Sequence, residues 1–521
     1  MKKTYRIEYS NRDYITLEKM IEKDHIRNEL AKFGQEHLLN FYDDLTEDQQ
    51  CSLLKDIQRL NLAEVCGSFD RTQSQNGSLH ETIDDLLEPL SSDIHQSLAR
   101  TSADQLKRFR DIGLSRIADG KVAALLLAGG QGTRLGSANP KGMYDVGLPS
   151  HKTLFQLQAE RILKLEEMAM NATGKSANIV WYIMTSGQTV EPTVEFFKDN
   201  QYFGLKSNNV IIFEQSTFPC FTFDGKIILD SKHQLARAPD GNGGLYKALR
   251  SQGIMDDMKQ RGIEDIHVYC VDNILVKVAD PIFIGYCISK DAECAAKVVE
   301  KVLPNEAVGI ICKVNGKFKV VEYSEVSHQT AQKRNSDGRL QFNAGNICNH
   351  YFTLDFLTNV IRENELIHHV AKKKIPYIDG NGQRIKPDKP NGIKLEKFVF
   401  DVFEFATKFA VWEVLREDEF SPLKNSDESE KDNPTTARLS LFNRNQRYVL
   451  NAGGTFIDEN GVQVALIPSP ALADVTRGGP DTNNNHVENQ VVCEISPLTS
   501  YDGENLEQLV KGKTFQSPLC L

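Results

Sequence analysis

Between residues 118 and 423, short apolar runs rich in Val and Ile alternate with amphipathic stretches, and that rhythm restricts the fold more than any other feature. The runs Val122–Leu127, Ile179–Met184, Val210–Phe213, Ile266–Val271 and Val308–Cys312 predict strands. They are continuous rather than alternating, which suits strands covered on both faces. Thr153–Met168 and Thr189–Asn200 carry helical spacing and predict helices between them. Strands separated by helices imply an α/β domain with a mixed, mostly parallel sheet.

The regions on either side differ. Residues 1–117 read as helical. Thr46-Glu47-Asp48-Gln49 has the form of a capping box, followed by Leu53, Leu54, Ile57 and Leu60 as one apolar stripe. Ser102-Ala103-Asp104-Gln105 repeats the signal before Leu106, Phe109 and Ile112, with Gly113 as the expected stop. The polar stretch from Leu423 to Pro434 marks a second boundary. Asn451 to Gly461 then suggests turns flanking short strands, and Asp481 to Asn489 a loop. The expected division is an N-terminal helical domain over 1–117, a central domain over 118–423 and a small β-rich C-terminal domain over 424–521. A chain of 521 residues is long enough for two or three domains.

The formal net charge of −10 excludes a broad basic face for nucleic acid, though a few converging cations still suffice for a small anion. The ten cysteines form no C-x-x-C pair and no zinc-like cluster; they read as small hydrophobes in a reducing compartment. No signal-like segment follows Met1, and the longest apolar run, Val122–Ala128, is far shorter than a bilayer span. A cytoplasmic location with no membrane partner is the expectation.

The chemistry concentrates in Leu125-Leu126-Leu127-Ala128-Gly129-Gly130-Gln131-Gly132-Thr133-Arg134-Leu135-Gly136. A strand ends in a glycine-rich turn whose amides suit phosphate and nucleotide oxygens, with Arg134 as a forked cation beside them. The dinucleotide fingerprint G-x-G-x-x-G fails at Leu135, and this turn lacks the Gly-Lys-Ser/Thr of a P-loop. Pro140-Lys141-Gly142-Met143 offers a second cation within one loop's reach. Ala238-Pro239-Asp240-Gly241-Asn242-Gly243-Gly244-Leu245-Tyr246 is too rich in glycine for a helix or strand; composition alone leaves it either a ligand loop or a plain turn. Asp272 ends the run Ile266–Val271, where α/β sheets bind ligands, and is either a metal carboxylate or a helix cap.

L-x-x-G-G-x-G-T-R-x-G followed by P-K-G resembles the nucleotide-sugar pyrophosphorylases that use UTP. The block Pro140-Lys141-Gly142-Met143-Tyr144-Asp145-Val146-Gly147-Leu148-Pro149-Ser150 is similar to their eukaryotic UDP-N-acetylhexosamine branch. The resemblance runs from about Phe33 into the C-terminal region and implies a glycosyltransferase-A-like Rossmannoid core. It implies nucleotide contacts from Leu127, Ala128, Gly129, Gly130, Gln215, Gly241 and Asp272. Sugar contacts are implied for Asn242, Gly309, Glu322, Tyr323 and Asn346, with Gly309 beside the N-acetyl group. Arg134, Lys141, Lys394 and Lys424 are implied as the cations that neutralise phosphate, Lys424 on the sugar side. Lys424 precedes the polar boundary loop, so closure of the C-terminal region would bring it to the sugar phosphate. Magnesium or manganese is the implied cofactor, on Asp272 with Asp401 as second carboxylate.

The implied reaction joins UTP and an N-acetylhexosamine 1-phosphate, from N-acetylglucosamine or N-acetylgalactosamine, to give the UDP-sugar and pyrophosphate. It would be the last step of UDP-N-acetylglucosamine synthesis for chitin and glycans. The nearest rival is a UDP-glucose or broad UDP-sugar pyrophosphorylase. A rival of another class is a non-catalytic UDP-sugar sensor, and an NAD-dependent oxidoreductase is already weakened by the broken fingerprint.

Overall fold

The structure is a computed structural model and describes residues 23–78, 83–363, 366–464, 466 and 491–521. The expected loop at 481–489 lies outside the described residues, as does the start of the chain. Two compact units organise the chain. The smaller combines the described part of Met1–Glu81 with Ser216–Gly244 and Leu366–Phe398; the larger holds the described remainder.

The larger unit is built on an 11-stranded sheet. In chain order its strands are β1 (Leu87–Glu88), β2 (His95–Ser97), β3 (Val122–Leu127), β4 (Val180–Thr185), β5 (Val210–Glu214) and β6 (Asp265–Cys270). They continue with β7 (Cys294–Glu300), β8 (Ile310–Val314), β9 (Lys317–Val321), β10 (Ala344–Thr353) and β11 (Phe409–Val414). The main order is β2-β11-β7-β10-β6-β3-β4-β5, with β8 joined to β1, β9 and β10. β6, β3, β4 and β5 are mutually parallel, as are β2, β11 and β7. β10 runs antiparallel between the two groups. The mixed, mostly parallel sheet expected from the sequence is present, and each predicted strand lies within two residues of its observed bounds. The fully buried run of β3 reflects cover on both faces.

The helix Ala103–Ala118 is capped by Ser102, whose side chain accepts from Gln105 N. Gly113 is not its stop but an interior residue. A Cβ on Gly113 would stand 2.0 Å from the carbonyl oxygen of Pro281, and one on Gly285 would stand 1.8 Å from that of Phe109. Two glycines therefore let this helix and Pro281–Ser289 cross in backbone contact. That crossing ties residues 103–118 to the sheet, so the boundary expected at 117 falls inside the larger unit.

The boundary expected at 423 is likewise interior to the larger unit. The polar loop leads into a long helix, Pro434–Asn451, capped by Asn433 with Pro434 in the first turn. Its Ala437, Leu441 and Phe442 pack with Leu135, Leu148, Ile274, Leu275 and Leu423. Beyond it the described strands are the short parallel pairs Thr455–Phe456 with Thr514–Phe515 and Cys493–Glu494 with Leu519–Cys520. Among the described residues the C-terminal region is thus dominated by a helix and shares the larger unit's core, which corrects the reading of a separate β-rich domain.

In the smaller unit the expected capping box forms at Thr46 and Gln49, and Leu53, Leu54 and Ile57 are buried. They pack with Phe69, Phe218, Phe221, Ile393 and Leu395, so two later excursions of the chain complete the helices' core. The tripeptides Gly174-Lys175-Ser176 and Gly512-Lys513-Thr514 follow helix ends, each glycine left-handed, and so are not phosphate loops. All ten cysteines are free thiols. Among the described residues no helix is long and apolar enough to cross a membrane.

Gly285→Ala is expected to lower the thermal midpoint although alanine is the better helix former, because backbone cannot yield as a side chain does; overpacking of this kind costs ~1–3 kcal/mol. Gly380→Ala, with nothing within 4 Å of the added carbon, serves as control. Equal midpoints by scanning calorimetry would contradict the close helix crossing.

Candidate active site

Register brings the functional loops of the larger unit to one edge of its sheet. β6 pairs in parallel with β3, with Cys270 opposite Leu127, and Val271 N donates to Leu127 O at 3.2 Å. Ala128–Gly130 and Asp272 therefore leave adjacent strands side by side, at the carboxyl edge where α/β sheets bind ligands.

The glycine turn is shaped by its neighbours. Ala128 N donates to Met184 O at 2.8 Å, and Gln215 N to Thr185 O at 2.8 Å. A Cβ on Gly129 would sit 3.2 Å from Gln215 Nε2, so the buried Gln215 side chain and the turn are in direct apposition. Two residues read as nucleotide contacts from distant motifs thus come together. Gly130 faces open space, and its carbonyl accepts from Lys141 N at 3.2 Å. Gly132 N bonds to Asn139 O at 3.0 Å, closing the loop that carries Arg134 on the turn Thr133–Leu135. Arg134 is exposed and makes no ion pair among the described residues, so its guanidinium is available to an anion.

Lys141 differs. Its side chain is only 16% exposed, with Nζ donating to Leu423 O at 3.1 Å and standing 4.0 Å from Asp272 Oδ2. The following Gly142 packs flat on Phe155, where a Cβ would come within 2.2 Å of the ring. Asp272 is 22% exposed, and its backbone carbonyl accepts from Leu423 N at 2.8 Å. Asn273, the next residue along the chain, is the buried clasp. Its Nδ2 donates to Glu419 O at 2.7 Å, and its Oδ1 accepts from Ser421 N at 3.0 Å.

Leu423 is fully buried, so packing holds the backbone that leads to Lys424. Lys424 itself is 46% exposed, with Nζ 3.9 Å from Asp432 Oδ2. Asp401 heads the turn Asp401–Phe405, and its field reaches the buried Tyr246. Among the described residues no three His, Cys, Asp or Glu side chains gather to hold a metal by themselves. A divalent cation at the part-exposed Asp272 carboxylate would have to share its coordination with phosphate oxygens, which is how magnesium is usually held.

Three residues read as sugar contacts also meet. Asn346 N donates to Gly309 O at 2.8 Å, and a Cβ on Gly309 would lie 3.2 Å from Glu322 Oε1 and 3.0 Å from Val320 Cγ1. A bulge opposite Lys297 and Val298 turns β10, with Cys348 at φ +52°. Asn346 Oδ1 braces that bulge, accepting from Cys348 N at 3.1 Å and lying 3.2 Å from His350 Nε2. Burial pushes His350 down to about 3, so the imidazole is neutral. The Asn346 carbonyl is thereby engaged, and its amide has no hydrogen-bond partner among the described residues. Tyr323, next to Glu322, is half exposed.

Gly241, Asn242 and Lys394 belong to the smaller unit. There Gly241 has φ +69°, and a Cβ would stand 2.2 Å from Lys397 O. Gly243 N donates to Lys397 O at 2.8 Å, and Lys397 N to Asp240 O at 3.0 Å. The glycine loop is thus clamped to the end of the strand Gly392–Glu396, which carries Lys394. Asp240 and His368, both buried, lock the loop from beneath, with Nε2 3.1 Å from Oδ1. Sequence reasoning missed His368 because 128 residues separate it from Asp240.

A glycine turn, an uncommitted arginine, a lysine beside a carboxylate and a polar cluster with acceptor and donor suit a nucleoside triphosphate and a polar partner. The profile of the family described as UTP--glucose-1-phosphate uridylyltransferase matches residues 69–473. A UDP-N-acetylhexosamine pyrophosphorylase-like protein 1 of Homo sapiens is 49% identical, over 96% of this chain and 97% of its own. UDP-N-acetylglucosamine diphosphorylase 2 of Arabidopsis thaliana is 42% identical, over 94% of this chain and 92% of its own. The crystal structure of the uridine diphosphate N-acetylglucosamine pyrophosphorylase from Trypanosoma brucei superposes with a TM-score of 0.77 at 30% identity, covering 94% of each chain. The chain belongs to the UTP–glucose-1-phosphate uridylyltransferase family, among its eukaryotic UDP-N-acetylhexosamine pyrophosphorylases.

Proposed function

We propose that the protein is a uridylyltransferase that makes a UDP-N-acetylhexosamine and pyrophosphate from UTP and an N-acetylhexosamine 1-phosphate. The observation that carries this reading is the edge where the glycine turn, Lys141 and Asp272 meet, with Lys141 Nζ 4.0 Å from Asp272 Oδ2. In an in-line displacement, an oxygen of the sugar 1-phosphate bonds to the α-phosphorus of UTP. The bond from that phosphorus to the bridging oxygen of the β-phosphate breaks, and pyrophosphate departs with the electron pair. The attacking oxygen is already an anion, so no general base is required. What the reaction needs is positioning and neutralisation of charge as two polyanions meet.

The chain's residues divide that work. Within the larger unit, the amides of Gly129 and Gly130 and the Gln215 amide hold the nucleotide. Arg134 and Lys141 take the departing pyrophosphate, while Lys424 neutralises the phosphates around the reacting phosphorus. Glu322 accepts from sugar hydroxyls, and the Asn346 amide donates to the sugar. Asp272 would hold magnesium or manganese, which would supply additional neutralisation of the phosphates.

The first test is pyrophosphate release from UTP with a panel of sugar 1-phosphates. N-acetylglucosamine and N-acetylgalactosamine 1-phosphates are expected to turn over with higher kcat/KM than glucose 1-phosphate. A preference for glucose 1-phosphate would support the UDP-glucose reading instead, and no pyrophosphate with any sugar would leave a UDP-sugar binder.

Asp272→Asn is expected to reduce kcat by the equivalent of ~2–4 kcal/mol while the fold persists, and chelation by EDTA to abolish turnover. Full activity in EDTA, or near-normal turnover of the variant, contradicts the metal assignment. Gly309→Ala brings a carbon against Glu322 and Val320, and is expected to lower kcat/KM for the N-acetyl sugars roughly 10-fold or more relative to glucose 1-phosphate. Equal losses on every sugar with a lowered melting temperature would make Gly309 a packing residue only.

A further inference from the structure

Four charged side chains meet in the larger unit, three of them buried and Lys277 half-buried, at a place the transfer chemistry does not touch. Lys297, in the middle of β7, is fully buried; its Nζ is 2.7 Å from Asp280 Oδ2 and 2.6 Å from Glu419 Oε2. Lys277 Nζ stands 3.6 Å from the other oxygen, Glu419 Oε1. Asp280 Oδ1 accepts from Ile282 N at 3.0 Å, capping the helix Pro281–Ser289. Two cations meet two anions, so the cluster is balanced. Burial alone would drive the lysines towards neutrality, but the carboxylates hold both above the usual lysine value.

Balanced buried clusters seldom stabilise a fold more than apolar side chains of equal volume. What they supply is register, because a misplaced charge is left unpaired. Here the register concerns the segment from Glu419 to Leu423. Glu419 O, Ser421 N and Pro422 are stitched through Asn273, and Leu423 N is bonded to Asp272 O. The far end of the segment presents Leu423 O to Lys141 Nζ. A slip at Glu419 therefore moves the acceptor that seats Lys141, and with it Lys424. The glycine turn and Gln215 are held separately, by Met184 and Thr185.

We infer that Lys297 is a positioning residue for uridylyl transfer: through Glu419 it fixes the 419–423 segment that seats Lys141 and Lys424 around Asp272. The inference rests on the uridylyltransferase reading, which the wild-type assay tests on its own.

The experiment compares Lys297→Met, Glu419→Gln and the double variant Lys297→Met/Glu419→Gln in the full chain, by melting temperature and by steady-state kinetics well below it. The single Lys297→Met leaves two carboxylates facing one lysine and is expected to lower the melting temperature. The double variant leaves Lys277 with Asp280, restores the charge balance and is expected to recover much of that loss. Its kcat is expected to stay roughly 10–100-fold below wild type, because misplacement by about an ångström costs that much, while KM for UTP remains near wild type. A cluster that serves stability alone predicts otherwise, so recovery of kcat together with melting temperature overturns the inference. Glu419→Gln, isosteric and with Lys297 still paired to Asp280, is the second arm should the others not fold. A kcat fall of the same order supports the inference, and a wild-type kcat overturns it.

Discussion

The site depends on the parallel pairing of Val122–Leu127 with Asp265–Cys270, in the register that sets Leu127 opposite Cys270. A shift of one residue would turn every side chain of one strand to the other face. It would also separate the amides of Gly129 and Gly130 from the Asp272 carboxylate. Both strands are buried through almost their whole length, and that fixes the register firmly. The later chain then builds on their ends. Residues 419–423 return along 272–275, and the helix Pro434–Asn451 seals the same core from outside. The C-terminal region is part of the catalytic unit because it finishes the loops that the two strands begin.

Charge is distributed unevenly around this edge, in a way that suits the meeting of two polyanions. Arg134 is exposed and uncommitted, whereas Lys141 is half-buried and already braced by a carbonyl and a carboxylate. A pre-seated cation needs little reorganisation as charge moves to the leaving group, and this is where electrostatic catalysis is most effective. The cluster of Gly309, Glu322 and Asn346 is built differently. The bulge engages the Asn346 carbonyl through Cys348 N, and a Cβ on residue 309 would stand 3.2 Å from Glu322 Oε1.

Much of this was legible in the sequence because the information was local. Continuous apolar runs gave strands to within two residues, and Thr46 and Ser102 gave helix starts. The motif glycines and cations marked the loops that the register brings together. What escaped depends on contacts far apart along the chain. Gly113 reads locally as a stop, yet it is a contact surface for Pro281. The boundaries at 117 and 423 follow changes in composition, while the units follow which segments share a core. Asp240 with His368, and Lys297 with Glu419, are pairs whose partners lie 128 and 122 residues apart. No short window contains both members of either pair.

In the proposed transfer the site positions and neutralises but forms no bond to the nucleotide. The stereochemical course at the α-phosphorus tests it most directly. With one pure diastereomer of UTP carrying sulfur on the α-phosphate, a single in-line displacement inverts the configuration in the UDP-sugar product, and phosphorus NMR of that product reads it. Inversion is the predicted result. Retention would require two displacements through a covalent uridylyl-enzyme and would contradict the account.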